Sequence, residues 1–224
     1  MATGSTIQSR INYGLGKVGQ ILGFQYSWYR PDPAGPVVQP SNLMGNVLAH
    51  ITPTPALIPS PSQFGKPDRY GAFDATQYQA GDYLIGPETY FIGEYMPLSG
   101  VSHLIVCNET FQLSRRGEKV PGEDYVGGGL QGNTVLATGF PGWMKAGDRK
   151  QPSDLHLPGE VQMPTINILL PVSLSEEVLR GDELITSDTV QSRWTVQSAD
   201  LSTMGWSIIA VESGAVSPAN VAAS

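Results

Sequence analysis

The chain has 224 residues, enough for one large domain or two small ones with a buried core. Charged residues make up 15%, while Gly 26 and Pro 18 are abundant; this excludes a helical bundle, and 40% apolar residues exclude general disorder. A net charge of -7 without a basic run argues against nucleic-acid binding by phosphate neutralisation, and a lone cysteine, Cys107, excludes an internal disulfide framework. The opening Met-Ala-Thr-Gly-Ser-Thr has no basic region followed by an apolar run, so no secretory leader is expected. The longest apolar stretch, Ile166 to Val172, is too short to span a bilayer.

Residues 5 to 22 predict one helix. Ile7, Ile11, Leu15, Val18 and Leu22 recur at steps of three and four, Ser5 and Gln8 form a capping-box pattern, and Gly23 suits the stop. Gly14, Gly16 and Gly19 each cost roughly 1 kcal/mol of helix propensity, so packing must hold this helix. The stripe faces either the domain's own core or another subunit. Phe24 to Arg30 predicts a strand ended by Pro31. Residues 31 to 67 hold half of the prolines and only Asp32 and Lys66 as charges, which predicts an extended Pro-rich arm lying against something. Val37, Val38, Leu57 and Ile58 are its candidate contacts, and 45 to 51 reads as a short strand within it.

A first β-module is expected over 68 to 116, a Gly-rich loop over 117 to 134, a second module over 135 to 212, and a flexible tail over 213 to 224. Val135 to Thr138 reads as strand, and Gly139 to Trp143 as a turn. The modules look alike. Tyr90 to Glu109 aligns with Arg193 to Glu212 at a shift of 103 positions, putting Trp194 on Phe91, and Gly181-Asp182-Glu183-Leu184-Ile185 answers Gly81-Asp82-Tyr83-Leu84-Ile85. Any two β-meanders share such features, so duplication and convergence both stay open. The expected fold is mainly β: two similar small barrel- or sandwich-like modules, one N-terminal helix and the arm.

Catalytic and metal patterns are sparse. His50, His103 and His156 stand far apart without ligand spacing, and no nucleophile elbow occurs. His103 and Cys107, four apart on an expected strand, share a face and read as core neighbours before they read as a nucleophile pair. Gly127 to Thr134 lacks the lysine and the following helix of a phosphate loop. Arg180-Gly181-Asp182 spells an adhesion tripeptide but reads as the turn before a strand, as Gly81-Asp82 does. No catalytic residue, cofactor or metal is expected.

The Gly-Asp-x-Leu-Ile turn, the Tyr90-Phe91-Ile92 strand and the Val106-Cys107-Asn108-Glu109 ending resemble small β-barrel virion proteins of tailed bacteriophages. Gly181-Asp182 through Trp194 to Ile208 is similar to the closing strands of head–tail joining proteins of the stopper class. The likeness is strongest over roughly 80 to 115 and 178 to 212, and the Pro-rich arm is foreign to it. It implies a structural, non-enzymatic subunit of the virion, a neck connector or tail accessory protein. Such a subunit would form a ring-like homo-oligomer and contact portal, adaptor or tail proteins, without sequence-specific nucleic-acid or membrane binding. The contrasting expectation is a soluble β-sandwich carbohydrate-binding module, stacking sugars on Trp28, Trp143 or Trp206, or a fibre-attachment protein.

Overall fold

The computed structural model describes residues 4–32, 35–54, 65–95, 101–115, 117, 133–147, 164–174, 176–187 and 192–215. Helix α1 (Gly4–Leu22) is followed by twelve strands. Six form the first barrel: β1 (Phe24–Tyr29), β2 (Leu43–Thr52), β3 (Asp68–Ala72), β4 (Tyr83–Ile85), β5 (Thr89–Tyr95) and β6 (Ser102–Cys107). Six form the second: β7 (Glu109–Arg115), β8 (Thr134–Ala146), β9 (Thr165–Leu170), β10 (Glu183–Thr186), β11 (Ser192–Ser202) and β12 (Gly205–Ala215). Strand order is β1-β2-β3-β6-β5-β4 in one barrel and β7-β8-β9-β12-β11-β10 in the other, each closed on itself. Adding six to each label turns the first order into the second.

The expectation of two similar β-modules therefore holds, and the repeat is finer than shared topology. Strand pairing superposes Tyr26 on Phe111, Trp28 on Leu113, Leu84 on Leu184, Tyr90 on Trp194, Ile92 on Val196 and Leu104 on Ala210. All twelve side chains are buried. The sequence shift of 103 is out of register: Trp194 answers Tyr90, because both cross to Leu184 or Leu84, and not Phe91. One bulge falls at the same place in both copies, between Ile92 and Glu94 and between Val196 and Ser198.

The barrels divide at a single residue. Asn108 links β6 to β7, and its side chain joins the sheet, accepting from the Met144 amide at 2.7 Å and donating to the Met144 carbonyl at 2.8 Å. Strand 109–115, grouped from the sequence with the first module, is thus the first strand of the second barrel. The described part of segment 31–67 is likewise not one arm: Leu43–Thr52 is β2, a full member of the first barrel.

β8 runs through the stretch read as a turn. Gly139 adopts φ +67 and takes up a bulge, while Pro141 sits where β8 pairs only with β7, before the β9 pairing begins at Trp143. Each barrel is filled by alternating inward side chains. The outward residues Tyr83, Phe91 and Ile105 of β4, β5 and β6 leave the first barrel's interior and join the second barrel's core. The Tyr83 hydroxyl donates to the Pro141 carbonyl at 2.7 Å across this boundary. The glycine at 81 lies against Ser173, whose hydroxyl donates to the Gly81 carbonyl at 3.2 Å.

Candidate functional site

Each barrel carries a buried aspartate at its Gly-Asp corner, and in the second barrel the adjoining Glu183 is buried as well. Asp82 accepts the Arg30 guanidinium through Nε at 3.0 Å and Nη2 at 2.9 Å, the Trp28 indole N–H at 2.9 Å and the Gln79 amide at 3.0 Å. Asp182 accepts Arg115 through Nε and Nη2, both at 2.9 Å, and the Leu179 amide at 2.8 Å. The hydrogen bonds raise both guanidinium pKa values above their ordinary range. Arg30 and Arg115 also donate to the carbonyls of Gln77 and Glu177, so each clamp ties the β3–β4 or β9–β10 connection to the end of the barrel's first strand. Gly81 and Gly181 hold positive φ at these corners, +89 and +94. Asp182 is buried by this pairing, which removes the carboxylate of Arg180-Gly181-Asp182 from any adhesion role.

The pairs do architecture, and the other candidates for chemistry do not converge. His103 Nε2 meets Asp68 at 2.9 Å. The Cys107 thiol points instead to the Ile105 carbonyl at 3.9 Å, and burial raises its pKa, so it stays a protonated thiol. Among the described residues no group of three metal-capable side chains occurs, and no helix is long and apolar enough to cross a membrane. Trp28 and Trp206 are buried and Trp143 packs on the second barrel's core. The Gly-rich stretch 118–132 lies outside the described residues, as does His156.

The candidate interface residues divide. Helix α1 docks by its small and polar residues. A Cβ at Gly19 would lie 2.4 Å from the Leu48 carbonyl oxygen, and one at Gly16 3.2 Å from Asp74 Cβ. Asn12, buried on the same face, donates to Thr76 at 3.3 Å and accepts from Gln8 at 3.0 Å. At 3.6 residues per turn, this places the apolar stripe partly off the barrel. Ile7 and Leu22 are exposed, and Ile11, Leu15 and Val18 are half-buried. Ile21, 77% exposed, and Phe24, 66% exposed, extend the same patch, with Leu48 of β2 beside its end.

Val37 has the opposite fate. It is fully buried in the second barrel's core, with its amide bonded to the Gly139 carbonyl at 3.4 Å, so it joins the two barrels of one chain. Val38 is exposed, and Leu57 and Ile58 lie outside the described residues. The sequence missed Ile21 and Phe24 as members of the patch, although Ile7, Ile11, Gly14, Val18 and Ile21 already follow the alternating four-three spacing of a helix seam.

Comparison with protein-family models, with curated proteins and with solved structures returned no match.

Proposed function

We propose that this chain is a structural subunit of a tailed-bacteriophage particle, in its neck or tail, that acts by assembling with neighbouring virion proteins, itself included. The observation that carries the reading is the orientation of α1: it docks through glycines and leaves Ile7, Ile21 and Leu22 to solvent, next to Phe24. Several large apolar side chains left exposed along one helix stripe support a contact surface there.

The rest of the molecule suits a rigid building block. Both sheets close on themselves among the described residues, which limits strand addition to the stretches of β2 and β8 paired on one side and favours faces and α1 as contact surfaces. The sequence resemblance to small barrel virion proteins supplies the particle, and the acidic chain gives a surface past which DNA slides without being trapped. The place of action is the virion.

The test is composition. Particles of the phage or prophage encoding this chain are purified, and their proteins are identified by mass spectrometry. Stoichiometric presence, with defective particles on deletion of the gene, agrees with the reading. Intact, infectious particles lacking the chain overturn it.

A further inference from the structure

Two surfaces at opposite ends of the chain complement each other. The first is α1. Its only charged residues are Arg10 and Lys17, both exposed, so the apolar patch of Ile7, Ile21, Leu22 and Phe24 has a purely cationic flank. The second is a cleft of about 440 Å³ on the second barrel. Its apolar wall includes Trp206 and the exposed Val172 and Leu201, and its charged residues are Glu176, Glu177 and Asp200. The nearby Arg115 is paired with Asp182 and also interacts with Glu176 and Glu177, but its one positive charge stands against all of these carboxylates and Asp200, so the cleft stays net acidic.

We propose that this cleft receives the α1 patch of a second copy of the chain, deepening the assembly reading above, on which it rests. Ile21, Leu22 and Phe24 lie against Val172, Leu201 and Trp206, and Arg10 and Lys17 face Glu176, Glu177 and Asp200. Charge decides between this arrangement and the obvious alternative. Two α1 helices packed antiparallel about Gly14 bring Arg10 of one next to Lys17 of the other, and like charges at a contact oppose it. The cationic flank instead fits an acidic receptor, and the chain carries one.

The two surfaces are different patches, so the contact is heterologous: each copy gives its helix to one neighbour and its cleft to another. Such a contact closes into a ring or continues into a fibre. The contact between barrels within the chain is not reused. The outward Tyr83, Phe91 and Ile105 that bind the second barrel are answered on that barrel by Glu183, Thr195 and Val211, a more polar set.

The experiment uses the full chain and two charge-reversed variants, Arg10→Glu with Lys17→Glu, and Glu176→Lys with Glu177→Lys, each checked for native melting. Association is measured by sedimentation velocity over a concentration series. The contact predicts that the parent self-associates, that each variant alone loses association by at least about tenfold, and that an equimolar mixture of the two variants recovers it. Unchanged association of either variant, or no recovery in the mixture, overturns the contact. A monomeric parent also overturns it, while the particle composition test separately decides the virion reading.

Discussion

Asp182 holds Arg115 in the second barrel as Asp82 holds Arg30 in the first, with the same two guanidinium nitrogens and the same connection tied down. The surroundings differ. Trp28 supplies an indole N–H to Asp82, and its counterpart in the second barrel is Leu113, which has none. Asp182 therefore depends more heavily on its arginine. Each aspartate keeps one backbone amide, so replacing Arg115 by Met costs about 3–5 kcal/mol, while Arg30→Met costs less, about 2–3 kcal/mol, because the Trp28 indole N–H also remains on Asp82. Urea denaturation of the two variants checks the order. Equal losses contradict it.

The glycines of α1 give a second contrast. Gly14 has nothing within 4 Å of a built Cβ, so Gly14→Ala gains up to about 1 kcal/mol from helix propensity. Gly19→Ala drives a methyl into the Leu48 carbonyl and costs about 1–3 kcal/mol despite the same propensity gain. Thermal melts of both variants test this docking. A stabilising Gly19→Ala means α1 packs through another face.

Tyr83 is the polar tie between the barrels. Tyr83→Phe leaves the Pro141 carbonyl without its donor and lowers stability by about 1–2 kcal/mol. Tyr83→Ala removes the ring from the shared core, costs about 3–5 kcal/mol, and is expected to separate one calorimetric transition into two. A single transition of unchanged midpoint contradicts this account of the junction.

Alkaline pH provides a linkage test. Burial raises the Tyr83 and Cys107 pKa values well above their ordinary 10.0 and 9.0, and burial with the charges of Asp74 and Asp82 pushes Tyr78 up to about 12. The unfolded chain releases these protons at their ordinary values while the folded chain retains them. Their contribution is fully present below pH 9 and falls as pH rises through 9 to about 12. Each such proton contributes a slope of about 1.4 kcal/mol per pH unit between the two pKa values. Chemical denaturation at pH 8, 10 and 11, where Tyr83→Phe flattens part of the fall, measures it. A pH-independent stability across that range contradicts the burial of these groups.

Much of the fold was legible because its signals are local. Alternation marked most strands, and Gly81-Asp82 and Gly181-Asp182 marked corresponding corners, where Asp also bonds the nearby amide as a turn residue does. The clamps were not legible, since Arg30 and Arg115 lie 52 and 67 positions before their aspartates. The one-residue slip between copies arose because Trp194 resembles Phe91 as well as Tyr90, and only cross-strand pairing separates the two. The face of α1 was half legible: its glycines permit close approach by another backbone, as Gly19 makes with Leu48, but spacing alone does not show that they, and not the apolar stripe, face the barrel. The apolar stripe, the stronger periodic signal, was then left for solvent or a partner.

The central claim, that the outward stripe of α1 is a self-assembly surface, is tested most directly by light scattering on the purified chain over a concentration series, beside Ile21→Asp with Leu22→Asp. The account predicts a parent mass several times 24.0 kDa that falls to a single chain in the variant. A parent that stays at one chain mass throughout, or a variant that assembles as the parent does, contradicts it.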